Sequence, residues 1–255
     1  MSLTDYFNGY FEILPADTSD LVEEVLRLRY QVYCVERNFE DASHHTDCKE
    51  RDLYDKRSVH CLIRHKLTGL YVAAVRLILP DPADYSSLFP MEKYCRQSFF
   101  DNVMPLQKIS RTSLAEVSRF LISEERERQI VRASTFEAEE GSGYRRKDGL
   151  LCYLLLFGLF SAVIRMTTMN LISSWYVSVE PAFYRLLTRF GIHFTKIGPI
   201  IDYHGLRHPC IGSTTQILSR IRRYRPEIWH FLTEGGKLTH PSSWPAQFRH
   251  FNVNR

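Results

Sequence analysis

The run Ala115-Glu116-Val117-Ser118-Arg119-Phe120-Leu121-Ile122 alternates like a β-strand, yet it carries two opposite charges among apolar neighbours. An ionised side chain inside a central strand is costly unless it is paired. The segments on either side say what sheet this strand belongs to. Downstream, residues 123–148 are highly charged, contain Gly141 and Gly143, and read as a loop. Gly149 to Ile164, GLLCYLLLFGLFSAVI, then gives 16 apolar-rich residues before Arg165. A spanning helix needs about 20, so this segment reads as a helix buried on nearly all sides of a core. Leu171–Val179 is rich in β-branched and aromatic residues and reads as a strand. Glu180-Pro181 opens a short helix that Gly191 ends. Ile192–Ile200 reads as a further strand. A helix over 214–233 is expected to turn Ile217, Ile221, Tyr224, Ile228 and Phe231 to the core.

Upstream, residues 20–35 have helical spacing, with Asp20 and Glu23 as a start signal. Residues 36–56 are a polar loop. Val59–His65 and Leu70–Leu79 flank the turn Lys66–Gly69 and read as a hairpin that Pro80 and Pro82 end. Residues 83–112 are mixed, with short helices. The order predicts one α/β domain over 1–255 with a mixed sheet, its core at about 20–215 and a C-terminal helix and tail at 214–255.

Composition excludes several classes. The chain has 255 residues, 44% hydrophobic and 24% charged, with 12 Gly and 11 Pro, which excludes a disordered or low-complexity chain. Residues 1–60 carry 7 Lys and Arg against 13 Asp and Glu, a net of −6; the other 195 carry 26 against 16, a net of +10. A basic body suits an acidic partner. The start, MSLTDYFNGYFEIL, lacks the basic and apolar regions of a signal peptide. Six widely spaced cysteines without a C-x-x-C pair read as reduced thiols in the cytoplasm. His44, His45, Asp47 and Cys48 share one polar loop with no second ligand pair at zinc-finger spacing, so no metal is expected. The phosphate-loop, dinucleotide, nucleophile-elbow and zinc-protease motifs are all missing.

Charged residues remain where a fold would not choose them. Arg76 lies in an apolar strand, and Glu116 and Arg119 lie in the run quoted above. They are either a structural ion pair, Glu116 with Arg76 or Arg119, or a charged cluster lining a cleft. Glu50, Asp52 and Asp55 form an acidic knot that could equally be a solvated turn. Arg29, on the first helix, could simply face solvent.

Taken in order, five pieces resemble the acyl-homoserine-lactone synthases and the related N-acyl amino acid synthases, both GNAT-like acyltransferases. They are Arg29-Tyr30-Gln31-Val32-Tyr33, Glu50-x-Asp52-x-x-Asp55, Val75-Arg76-Leu77, Leu88-Phe89-Pro90 and Glu116-Val117-Ser118-Arg119-Phe120. The resemblance covers roughly residues 20–200. The stretch at 179–210 looks like the offshoot described as PEP-CTERM/exosortase system-associated acyltransferases. Phe39 stands where the lactone synthases carry tryptophan, and Tyr33 where they carry phenylalanine, which favours an N-acyl amino acid product over a lactone.

This resemblance implies a GNAT-like α/β (α+β sandwich) fold, a central mixed sheet with splayed strands flanked by helices. The splayed strands would be 115–122 and 171–179, with an acyl-phosphopantetheine thioester between them as co-substrate and no tightly bound cofactor. A backbone N–H near Phe120, Leu121 and Ile122 would polarise the thioester carbonyl. Arg145, Arg146 and Lys147, at the next helix start, would meet the arm's phosphate. Glu116 would take the amine's proton, with Arg119 beside it, and Tyr184 would protonate the leaving thiolate. Arg29, Arg76, Asp52 and Asp55 would underlie the amine side, where an arginine fork suits an amino acid carboxylate. Tyr33, Phe39, Phe89 and Phe120 would line substrate. An acyl carrier protein is the expected donor, with acyl-CoA the alternative, and the acceptor a small-molecule amine. A non-catalytic acyl-binding module is a second reading. A nucleic-acid surface on Arg220, Arg222, Arg223 and Arg225 is a third, weighed against a solvated helix face.

Overall fold

The computed structural model describes residues 2–100, 109–135, 148–203 and 205–239. In chain order the elements are α1 (Leu3–Tyr10), β1 (Phe11–Pro15), α2 (Ser19–Tyr30), β2 (Ser58–His65), β3 (Tyr71–Ile78), α3 (Pro90–Cys95), β4 (Leu114–Ile122), α4 (Glu124–Thr135) and α5 (Asp148–Met169). They continue with β5 (Ser174–Val179), α6 (Pro181–Arg189), β6 (Thr195–Lys196), β7 (Ile201–Asp202), β8 (Leu206–Ser213), α7 (Thr214–Tyr224) and α8 (Pro226–Leu232). The eight strands make a mixed sheet in the order β1-β2-β3-β4-β5-β8-β6, with β7 on β8. By contacts the chain divides into two compact units, Met1–Arg76 with Arg119–Val163, and Leu77–Ser118 with Ile164–Arg255.

In the first unit, β1 runs antiparallel to β2 from Phe11↔His65 to Pro15↔Cys61. Thr18 caps α2 by accepting the Leu21 N–H, which satisfies an otherwise orphaned donor. The helix then widens into a π-turn over Gln31–Glu36. Val25, Leu28 and Val32 pack with Leu62, Ala74 and Leu121 as a core. The segment read as a loop from 123 is a correction, since residues 124–135 form α4. Its start is held from a distance, because the Glu36 carboxylate accepts the N–H of Glu124 at 2.9 Å and the Ser123 hydroxyl at 2.6 Å. Glu124, Glu125 and Glu127 in the first turn suit the positive helix end. Residues 136–147 lie outside the described ones.

In the second unit, β4 runs parallel to β5 only from Leu114↔Ser174 to Val117↔Val177. β5 then pairs antiparallel with β8 over its whole length. The strand expected over 192–200 shrinks to Thr195–Lys196. The strand β8 was not expected, because Gly205, Pro209 and Gly212 interrupt its pattern. The helix expected over 214–233 is two helices. Pro226 has no N–H and restricts the residue before it, so Arg225 leaves helical geometry at φ −144 and ψ 63. Tyr224 sits at that break and is 58% exposed, not coreward as its spacing suggested. Among the described residues, one helical segment, Leu151–Met169 within α5, has the length and composition to cross a membrane, and 72% of its apolar window is buried.

Candidate active site

Three arginines and three carboxylates interlock in the first unit. Arg29, fully buried on α2, donates Nε to Glu50 Oε2 at 2.5 Å and Nη1 to Asp55 Oδ1 at 2.6 Å. Arg76, on β3, donates Nη1 and Nη2 to the two oxygens of Asp52 at 2.7 and 2.9 Å. Its Nη1 also reaches Asp55 Oδ1 at 2.8 Å. Arg119 donates Nε and Nη2 to the two oxygens of Glu50 at 3.1 and 2.8 Å. Asp52 and Asp55 are placed by the capping box of the short turn Leu53–Arg57, where each carboxylate accepts a backbone N–H of the other end. The knot is therefore a built feature, not a solvated turn, and Arg29 does not face solvent.

The paired forks are the strong form of the interaction. They engage the arginines with the protein's own carboxylates, so the fork expected at Arg29 and Arg76 to take a substrate carboxylate already holds Glu50, Asp52 and Asp55. Partly exposed acids border Arg119: Asp52 at 3.4 Å and Glu40 at 3.8 Å. Burial would raise the Glu50 carboxyl, but Arg119 and then Arg29 hold it well below the usual range. Asp55 is likewise pulled down to about 2 by Arg29 and Arg76 against its burial. His60, on β2, is pushed down to about 3 by burial and the Arg29 charge. Tyr33 lies under the Arg119 guanidinium, 5.1 Å from ring to Cζ, and 6.3 Å from the Phe39 ring. Phe120 packs on Phe160 at 5.1 Å, and Leu121 is buried.

The backbone of Arg119 is left-handed, φ 47, inside β4. A long side chain in that region is strained, and such strain persists only where surroundings enforce it. The bidentate hold of Glu50 supplies that enforcement. The β4–β5 ladder ends two residues earlier, at Val117.

The second unit holds Glu116, 3% exposed, whose Oε2 accepts the Met91 N–H at 2.9 Å. That N–H belongs to the first turn of α3, which opens at Phe89-Pro90, and Glu92 Oε2 accepts the Phe89 N–H at 3.0 Å. Arg111 donates to Glu92 and to the Ser87 carbonyl, and its guanidinium lies 4.6 Å from the Phe89 ring centre. Tyr176, opposite Glu116 in the ladder, donates to Glu92 at 3.3 Å. Burial and the Glu92 charge push its phenol upward. Tyr184, on α6, donates to the Phe194 carbonyl at 2.9 Å, beneath Lys196 at 4.8 Å. Arg145, Arg146 and Lys147 lie outside the described residues.

The structure adds Glu50, His60, Glu92, Arg111 and Tyr176 to the residues chosen from sequence. Glu50 was visible in the acidic knot but had no signal separating it from Asp52. Glu92 and Arg111 lie in a segment without periodicity, so nothing local marked them.

Residues 28–135 match the family described as acetyltransferase (GNAT) domain. The comparison with curated proteins gives no match. Among solved structures, TofI in a ternary complex with an inhibitor and MTA is 14% identical, with a TM-score of 0.56, and covers 92% of this chain and 99% of its own. BjaI, a CoA-dependent acyl-homoserine lactone synthase solved with MTA, is 17% identical at a TM-score of 0.53, covering 91% and 90%. FeeM, an N-acyl amino acid synthase from uncultured soil microbes, is 12% identical at 0.50, covering 82% and 94%. At these identities the likeness is one of fold. The match over 28–135, together with that fold, supports an acyltransferase enzyme.

Proposed function

We propose that the chain is an N-acyltransferase that moves a fatty acyl group from an acyl thioester to the amine of an amino acid or related small molecule. The observation that carries this reading is the geometry of β4. Its ladder with β5 stops at Val117, its backbone turns left-handed at Arg119, and a buried carboxylate, Glu116, sits just before the break. Beyond that break the N–H groups of Leu121 and Ile122 would hold the thioester oxygen as negative charge develops. Glu116 takes a proton from the acceptor ammonium, directly or through water. The amine nitrogen then bonds to the acyl carbon, the C–S bond breaks, and the Tyr184 phenol returns a proton to the thiolate. Burial and Cys210 raise the Tyr184 phenol, which keeps that proton available. Asp52 and Glu40 suit the cationic end of an acceptor, and Tyr33, Phe39, Phe89 and Phe120 are the aromatic residues proposed to contact substrate.

The acidic partner expected from the basic body is an acyl carrier protein, with CoA as the other donor. The amino acid product, in place of a lactone, rests on Phe39 and Tyr33. The exosortase-associated branch, and a cytoplasmic site of action, rest on the sequence resemblance.

The test is mass spectrometry of lipid extracts from cells making the wild type and Glu116→Gln. The wild type should yield a new N-acyl amine, and the variant at least about 100-fold less, the scale of a lost general base. Equal product from both removes Glu116 as the base. No new acylated amine from the wild type favours the non-catalytic module, and a lactone would reassign the acceptor.

A further inference from the structure

Arg111 stands just ahead of β4 and directs its whole guanidinium at the approach to α3. Nε donates to the Tyr85 carbonyl at 3.1 Å, Nη2 to the Ser87 carbonyl at 2.6 Å, and Nη1 to the Glu92 carboxylate. Its Cζ lies 4.6 Å from the centre of the Phe89 ring. One planar fork thus touches Tyr85, Ser87, Phe89 and Glu92 together, which the single ammonium of a lysine cannot do. Glu92 carries the hold onward. Its other oxygen, Oε2, accepts the Phe89 N–H at 3.0 Å and seats the first turn of α3. That turn presents the Met91 N–H to Glu116 Oε2 at 2.9 Å. Phe89 and Met91 are fully buried, so the turn is packed where Glu92 sets it.

Among the described residues of this unit, Tyr176 on β5 and Glu92 and Cys95 on α3 are the titratable groups around Glu116, with Arg111 behind Glu92. Burial and the Glu92 charge push the Tyr176 phenol up, and burial pushes the Cys95 thiol up to about 11, so both are neutral at neutral pH. Glu92 is the remaining acid, and Arg111 neutralises it. Without Arg111 a second carboxylate would stand uncompensated on the turn that holds Glu116. Like charge, and the loss of an N–H donor, both disfavour an ionised carboxylate. We propose that Arg111 is a positioning residue for acyl transfer: through Glu92 and the first turn of α3 it keeps the Met91 N–H on Glu116 and holds that carboxylate ready for the acceptor's proton. This rests on the reading of Glu116 as the base.

The experiment uses the full chain labelled with glutamate carrying carbon-13 at the side-chain carboxyl. The Glu116 resonance is the one missing from Glu116→Gln, and its shift is followed against pH in the wild type, Arg111→Gln, Arg111→Lys and Arg165→Gln. The last breaks a partly exposed ion pair with Glu234 elsewhere in the same unit and controls for general loosening. Circular dichroism melts check that each variant folds. Arg111→Gln should raise the Glu116 midpoint by about one pH unit, the scale of one lost hydrogen bond to a charged group. Arg111→Lys should raise it less, and Arg165→Gln should leave it in place. If the glutamine variant does not fold, Arg111→Lys carries the test with a shift of the same sign. Formation of the acylated amine by Arg111→Gln should fall by up to about tenfold below the midpoint and recover above it, with the thioester KM unchanged. A midpoint that the Arg111 variants leave in place overturns the proposal, as does an equal shift in Arg165→Gln or a loss of activity equal at every pH. A raised midpoint in a chain whose wild type makes no acylated amine upholds the hold of Arg111 on Glu116 and sinks the transfer reading.

Discussion

Arg76 and Arg27 make similar contacts on paper and differ in what they contribute. Arg27 pairs with Glu23 and Glu24 at 2.6 Å on an exposed helix face, where water and side-chain entropy leave an ion pair at most about 1 kcal/mol. Arg76 is 1% exposed and neutralises Asp52 and Asp55. Removing it leaves Asp55 to Arg29 alone and Asp52 to a 3.4 Å contact with Arg119, so Arg76→Met should lower unfolding stability by about 3 kcal/mol, the low end for a broken buried pair, and Arg27→Ala by less than about 1, as urea titration would read. His60 adds a pH dependence whose sign follows from its burial. It is neutral in the fold down to about pH 3, whereas in the unfolded chain it takes a proton near pH 6.5. The unfolded state therefore gains protons first, and stability falls as pH drops from about 6.5 towards 3. At pH 5 the loss from this one group is about 2 kcal/mol. The contributions of Glu50 and Asp55 are complete above about pH 4 and are lost only below it, so pH 5 separates the two effects. Comparing urea midpoints at pH 7.5 and pH 5, His60→Gln should lose that much less than wild type. Parallel losses would show that His60 is not held neutral. Of these residues, only Arg76 was legible as a charge out of place; Arg29, Asp52 and Asp55 could equally have faced solvent, and only the family resemblance singled them out. His60 was not, because a histidine in an alternating strand carries no mark of its neighbours.

The apolar run from 149 to 164 marked α5 within one residue of its start, since a continuous run of that length has few other uses, although the helix continues to Met169. Gly158 within it is explained by packing. A Cβ there would come within 2.6 Å of Phe7 Cε2 and 2.8 Å of Ile63 Cδ1. Both neighbours are at most 1% exposed, so any shift must be taken up by the packed core around them. Alanine would gain about 1 kcal/mol of helix propensity and lose about 1–3 to overpacking. Gly158→Ala should therefore unfold at lower urea by about 1 kcal/mol, and a more stable variant would mean that Phe7 can move aside. The partner at this site is α1, which the sequence reading left out, as it did β1. Eight residues of helix and five of strand are too short for periodicity to declare, and only pairing with β2 makes β1 a strand. The opposite error fell on 124–135. A highly charged segment read as a loop forms α4, because Glu36, 88 residues before Glu124, supplies its cap. Long-range capping leaves no local pattern.

At the scale of the whole molecule, the chain passes between its two units three times, at 76/77, 118/119 and 163/164. Each crossing falls inside an element, in β3, β4 and α5. β4 is the plainest case, with Glu116 in one unit and Arg119 in the other. A linker between units would let one melt while the other stayed folded. Here, melting either unit breaks two strands and a helix in mid-course, and it exposes apolar positions such as Val163 and Ile164 on either side of a crossing, both 1% exposed. The expected behaviour is a single cooperative transition. The two described tryptophans, Trp175 and Trp229, lie in the second unit, while far-ultraviolet circular dichroism reports helices of both. Urea curves followed by tryptophan fluorescence and by ellipticity should coincide in midpoint and slope. A fluorescence transition that precedes the loss of ellipticity would make the units separate folding domains. Substitutions such as Arg76→Met would then shift the ellipticity curve while leaving the fluorescence curve in place.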